Sequence, residues 1–171
     1  MQIGVLKETW PGEVRTSMVP ANVAKLVKTG FSIVIEKNAG EASGFADTAY
    51  EEAGARIEGD RGAILGSSQV LLGVRKFELA ELDSIKKDTV CISFLDPYNE
   101  KQLVEAMATA GLTAISMEMV PRSTRAQKMD ALSSQANLAG YVTVIQAASH
   151  SPQILPMMMS PAGTIAPARV F

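Results

Sequence analysis

Five short apolar runs, at residues 3–6, 31–36, 70–74, 90–95 and 113–116, recur along the first two thirds of the chain. Each is too short for a buried helix, and several are rich in β-branched residues, as in Ile33-Val34-Ile35. Longer stretches with helical spacing separate them. That alternation predicts a parallel sheet flanked by helices, because only a crossover of such length brings the next strand back parallel. The crossovers are expected to be right-handed.

The intervals carry recognisable start and stop signals. Pro20 opens a helix, since proline is tolerated in a first turn. Val23, Leu26 and Val27 give that helix an apolar stripe, and Gly30 ends it. Residues 39–45 form a loop with two glycines, after which Asp47 caps a helix that runs to about Ala53. Leu103, Val104, Met107 and Ala108 recur at helical spacing over residues 100–110, and Gly111 stops that helix.

Beyond Ser116 the rhythm changes. Residues 117–121 are a connector. Residues 127–147 form a long helical pattern with Met129, Leu132, Ala136, Ala139, Val142 and Ile145 on one stripe. Residues 151–167, rich in Pro, Ser and Met, read as a linker, and residues 169–171 as the first residues of another strand. The resulting division is an α/β domain over 1–121, a polar loop and long helix over 122–150, and a linker with the start of a second domain over 151–171.

Charge narrows the function classes. Acidic and basic residues are interspersed and the net charge is −2, so no basic block is present for nucleic acid or for an anionic membrane. No run approaches the ~18 apolar residues of a membrane span, and the opening residues, which run straight into a strand-like stretch, lead to no expectation of a signal peptide. Cys91 is the only cysteine and lies in an apolar run, which predicts a buried thiol. With one cysteine and one histidine, His150, a zinc site is not expected. No two glycines are separated by a single residue, so the GxGxxG turn that cradles a dinucleotide pyrophosphate is absent.

Two polar segments carry candidate chemistry. In the first, the strand at residues 3–6 runs into a loop that offers Glu8, Glu13 and Arg15. Loops at the carboxyl ends of parallel strands are where α/β folds place ligands. The second is Pro121-Arg122-Ser123-Thr124-Arg125-Ala126-Gln127-Lys128-Met129-Asp130, followed by Ser133. It places polar groups at the entrance of a long helix, where unpaired N–H groups and a positive dipole end gather. Gln127 and Asp130 share a face if both are helical. The Gln127 amide offers a donor and an acceptor to a carboxamide, and Asp130 is placed to fix Arg122.

Both segments resemble the N-terminal domain shared by alanine dehydrogenases and the alpha subunits of proton-translocating NAD(P) transhydrogenases. The opening pattern Gly4-Val5-Leu6-Lys7-Glu8, Glu13-Val14-Arg15, Val19-Pro20 and Gly30 is similar to the wider family signature. The stretch over residues 121–141 is similar to the transhydrogenase nicotinamide loop, with Arg122, Gln127 and Asp130 at its named positions and Ser133 after them. Residues 162–170 resemble the run into that family's second domain.

The resemblance implies a specific set of partners and roles. Arg122, Ser123, Gln127, Asp130 and Ser133 bind NAD(H), whose hydride passes to NADP+ on a partner beta subunit. Membrane segments couple this to proton movement, and no catalytic acid or base is expected in this chain. It also implies a homodimer at full length and a cytoplasmic location, peripheral to the inner membrane (the matrix side in a mitochondrion). Weak substrate-pocket positions fall on Arg15 and on Arg75, with Lys76 an equal candidate for the family lysine. The alternative is an alanine-dehydrogenase-like front domain. Against it, the position of that enzyme's histidine falls near Asp96, and a carboxylate there repels an oxo acid. A third reading is a catalytically silent binding domain. The sequence ends at Phe171, just ahead of the expected Rossmann domain, so the isolated chain is expected to bind NAD(H) weakly.

Overall fold

A computed structural model describes residues 1–169. They divide into two compact units, Met1–Met129 and the segment from Asp130 onward. The strand start read at residues 169–171 falls mainly on Val170 and Phe171, outside the described residues.

The first unit is a six-stranded sheet, parallel throughout, in the order β3-β2-β1-β4-β5-β6. Its strands are β1 (Gln2–Val5), β2 (Ser32–Glu36), β3 (Arg56–Glu58), β4 (Val70–Leu72), β5 (Val90–Ser93) and β6 (Thr113–Ser116). Helices α1 (Pro20–Lys28), α2 (Asp47–Glu52), α3 (Arg61–Ser67) and α4 (Lys101–Thr109) connect them, with a 3-10 segment at Leu79–Ser84 between β4 and β5. The expected α/β class and parallel sheet are therefore present. The strand order is the doubly wound one, which reverses direction between β1 and β4.

Period-two alternation sends the strand side chains to two separate cores. Ile3, Val5, Ile33 and Ile35 face one way, onto Val23 of α1 and Tyr50 of α2. Leu6, Val34, Leu71 and Cys91 face the other way, onto Ile64 and Leu65 of α3 and Leu103 and Met107 of α4. Both faces of the central strands are covered, which is why β2 reads as an unbroken apolar run. Gly4 is what lets α3 approach β1. A Cβ there would lie 2.5 Å from Ser68 Oγ and 2.6 Å from Ile64 Cγ2. At the far edge of the sheet, Thr113, Ala114 and Ile115 of β6 are exposed.

Most local signals act as expected. Pro20 opens α1, and Gly30 follows its end at φ 92°. Gly111 stops the α4 segment at φ 71°. Four readings need correction. The cap of α2 is Ala46, while Asp47 sits in the first turn and accepts the Asn38 N–H at 2.9 Å. In α4, Val104 and Ala108 are exposed and Leu103 and Met107 alone are buried, because the sheet contacts a narrower stripe. β3 and α3 are additions to the expected elements. β3 has three residues with one apolar side chain, and α3 contains two glycines, so neither shows a strong period.

The fourth correction concerns the second unit. Its helix α5 is Ala131–His150, not 127–147, and none of its residues is buried. The residues assigned to a stripe form no covered face, and apolar side chains such as Tyr141 and Val144, which lie off that stripe, are exposed as well. The segment read as a linker contains a hairpin, β7 (Met158–Ser160) antiparallel to β8 (Gly163–Ile165), with Gly163 at φ 128° in its turn. No helix among the described residues is long and apolar enough to cross a membrane.

Candidate functional site: a carboxylate-braced crevice and a cationic loop

The reversal of strand order opens a crevice between the loops that follow β1 and β4. Leu6, Glu8, Trp10, Gly73, Arg75 and Lys76 line it. The β1 loop occupies residues 6–19 before α1 begins, so the phosphate-cradling tight turn of a dinucleotide fold is replaced by a long polar loop.

Glu8 ties that loop to β4. One carboxylate oxygen accepts the Val74 N–H at 2.5 Å and the other accepts the Arg75 N–H at 3.0 Å. Burial pushes the Glu8 carboxyl above the ordinary carboxylate range, against the lowering effect of those two bonds.

Glu13 is the second brace, and it gathers the two arginines singled out in the sequence. Arg15 donates to it from Nε at 2.7 Å and Nη2 at 2.6 Å, and Arg75 donates from Nε at 2.9 Å. The Glu13 side chain is only 4% exposed. The Arg15 hydrogen bonds, foremost, hold its carboxyl down to about 2. Arg15 and Arg75 are far apart in the chain and meet on one carboxylate. Lys76 takes a different partner, Glu100. Both cations nevertheless stand over the Trp10 ring, with Arg75 Cζ 5.7 Å and Lys76 Nζ 5.2 Å from its centroid. The sequence offers Glu13 as a loop carboxylate, but nothing in its spacing signals the contact with Arg75.

Asp96 lies on a third loop, after β5. Its φ is 51°, and Glu118 accepts its N–H. The Asp96 carboxylate in turn accepts both bonds from Asn99 Nδ2, at 2.9 and 3.0 Å. Glu118 also accepts from Ser116 and from the Leu95 N–H, so it fastens the loop after β5 to the end of β6.

The second candidate segment crosses the division between the two units, and its residues are described on each side. In the first unit, Arg122, Ser123 and Gln127 are exposed. The turn is anchored by Ala126, which is 6% exposed, and by backbone bonds from Ala126 to Ser123 and from Met129 to Ala126. Gln127 lies in a 3-10 turn that ends at Met129. In the second unit, Asp130 caps α5. Its carboxylate accepts the Ser133 N–H at 2.9 Å and the Ser133 hydroxyl at 2.6 Å. Gln127 and Asp130 therefore do not share a helix face. Arg122 takes part in no ion pair among the described residues of the first unit, and within the second unit the Asp130 carboxylate is the cap of α5. No cluster of metal-ligating side chains occurs among the described residues.

These features define a class: an open, parallel, doubly wound α/β domain with a polar crevice at its switch point and a basic polar loop beyond its last strand. The chain belongs to the alanine dehydrogenase/PNT N-terminal domain family, whose model matches residues 4–139. It is 39% identical over its whole length to the NAD(P) transhydrogenase subunit alpha of Cereibacter sphaeroides, covering 33% of that protein. It is 40% identical over its whole length to an NAD(P) transhydrogenase subunit alpha polypeptide of Rhodospirillum rubrum, covering 46% of it. The crystal structure of transhydrogenase from Sinorhizobium meliloti superposes with a TM-score of 0.90 at 43% identity, over 98% of this chain and 50% of that one. An L-alanine dehydrogenase superposes with a TM-score of 0.69 at 34% identity, over 73% of this chain and 34% of that one. The chain thus spans between a third and a half of the length of these transhydrogenase relatives.

Proposed function

We propose that this chain is the portion of an NAD(P) transhydrogenase alpha subunit that holds the nicotinamide end of NAD(H), for hydride transfer to NADP+ on a beta subunit. The observation that carries this reading is the polar segment from Arg122 to Ser133, on a chain whose likeness to transhydrogenase subunits runs over its full length. In the complete complex the transfer is coupled to proton translocation, and the complete subunit is a homodimer.

The residues fit a carboxamide. The Gln127 amide is exposed and presents one donor group and one acceptor. Arg122 supplies a guanidinium to an acceptor oxygen, and Ser123 a hydroxyl. The Ser133 hydroxyl donates to Asp130, which leaves its own oxygen as an acceptor. The reduced nicotinamide ring supplies the hydride when bound. The work of the protein is then orientation: Gln127 and Arg122 fix which face of the carboxamide-bearing ring is presented, and Asp130 fixes Ser133. No residue here transfers a proton in the hydride step.

Amino-acid dehydrogenation is the weaker reading. An oxo acid entering the crevice would meet Arg15 and Arg75 already engaged by Glu13. At the position near which the resemblance puts the alanine dehydrogenase histidine, the chain carries the exposed carboxylate of Asp96. The test is the complete alpha subunit with its beta subunit, assayed for hydride transfer to an NADP+ analogue. Gln127→Ala is expected to lower the rate at least tenfold with the thermal midpoint unchanged. An unchanged rate would remove this assignment, and clear turnover of pyruvate, ammonia and NADH would restore the alternative.

A further inference from the structure

Every arginine in residues 1–121 is paired within the chain. Arg15 and Arg75 engage Glu13, Arg56 engages Glu58, and Arg61 engages both Glu36 and Glu81. The loop after β6 breaks this rule. Residues 119–129 hold Arg122, Arg125 and Lys128 and contain no Asp or Glu. All three cations are exposed, and none takes part in an ion pair among the described residues. Within the first unit the nearest flanking carboxylate, Glu118, is committed to the Asp96 loop.

The loop is also built to present them. Ala126 is buried between Arg125 and Lys128, and the bonds Ser123 to Pro121, Ala126 to Ser123 (3.0 Å) and Met129 to Ala126 (2.8 Å) form successive tight turns. Uncompensated like charges on a fastened loop repel one another. In a unit, Met1–Met129, whose four other guanidinium groups are all paired, they mark a surface completed by an external anion.

The nicotinamide reading uses Arg122 and leaves Arg125 and Lys128 without a role. We infer that Arg125 and Lys128 form an electrostatic docking surface for an acidic patch on the beta subunit that carries NADP(H). This rests on the proposed function, which requires that subunit to approach the loop. Charges at an interface rim act mainly on encounter rate and on salt dependence. The two cations therefore set how tightly the subunits meet and leave the hydride step itself unchanged.

The experiment measures the affinity of the complete alpha subunit for its beta subunit at about 20 mM and about 500 mM ionic strength, below and well above the range where surface charges are screened. The variants are Arg125→Glu with Lys128→Glu, Arg125→Lys, and Gln127→Ala. The double charge reversal is expected to weaken binding at least tenfold at the lower ionic strength and less than threefold at the higher. Arg125→Lys is expected to stay within about twofold of the parent. Hydride transfer at saturating beta subunit is expected to be unchanged in the double variant. Equal loss at both ionic strengths, or no loss at either, would overturn the inference. So would weakened binding of NAD+ by the alpha subunit alone, because the cations would then serve nucleotide phosphates. Gln127→Ala tests the underlying function separately: if it transfers hydride normally, the nicotinamide assignment fails, whatever the docking variants show.

Discussion

Replacing Glu13 with Gln tests whether the crevice is held by its carboxylate. Glu13 accepts three guanidinium bonds, two from Arg15 and one from Arg75, together with the Arg15 backbone N–H at 3.1 Å. A charge-assisted bond contributes ~1.5–3 kcal/mol where water is excluded. Here the Arg15 and Arg75 side chains are 38% and 46% exposed, so each pair is discounted toward the surface value of up to ~1 kcal/mol. Gln keeps the shape and one acceptor, so the expected loss at pH 7 is about 1–2 kcal/mol, a fall of about 3–6 °C in Tm for a chain of this size.

The pH dependence follows from the same contacts. The folded carboxyl lies at about 2, below its unfolded value of 4.5. The unfolded state therefore binds the proton more readily, and the stabilisation is complete above the unfolded value. It is lost as pH falls from 4.5 toward 2. Urea unfolding followed by far-ultraviolet circular dichroism, on parent and variant between about pH 8 and pH 3, reads the difference directly. The gap should be flat from pH 8 to about 5.5 and shrink below 4.5. A gap that is absent at pH 7, or that widens on acidification, would refute the reasoning.

Other outcomes follow from single contacts. Gly4→Ala places a methyl within 2.6 Å of Ser68 Oγ or Ile64 Cγ2, on a strand bonded on both sides, and should cost about 1–3 kcal/mol in denaturant unfolding. Gly66→Ala, where an added methyl would find its nearest neighbour at 3.8 Å, is the control and should be neutral or stabilising. Asp130→Ala removes the α5 cap and should lower helicity near residue 131, with a cost of ~1 kcal/mol; Asp130→Asn or Asp130→Ser should recover most of it, as read by hydrogen exchange. Burial pushes the Cys91 thiol up to about 12, so it should resist a thiol reagent at pH 8 and react fully in concentrated urea. Reaction of the folded chain at the free-thiol rate would contradict its buried position.

The sheet is legible in the sequence where one residue type dominates a short run. Ile33-Val34-Ile35 announces β2 because both faces of that strand are buried. Pro20 and Gly30 frame α1 because each acts through its own backbone. β3 and α3 are not legible, since a three-residue edge strand and a helix with two glycines are held by their neighbours more than by propensity. The start of α5 is misleading because Gln127 and Asp130 have helical spacing, and spacing alone does not reveal that Asp130 follows one turn and caps the next helix. Of the site, the residue types are evident in the sequence. The meeting of Arg15 and Arg75 on Glu13 is not, because it depends on β1 lying beside β4, which no local pattern encodes.

Trp10 is the only tryptophan in the chain, and it lies 42% exposed beneath Arg75 and Lys76. Its emission therefore reports on one place, the mouth of the crevice, and not on the two apolar cores. Being half solvated already, the indole should redden little when the chain unfolds, whereas losing either cation from its face should change its intensity. An optical melt and a dichroism melt on the same sample would then trace different events. The separation between the two curves would measure how far the switch-point loops loosen before the sheet gives way.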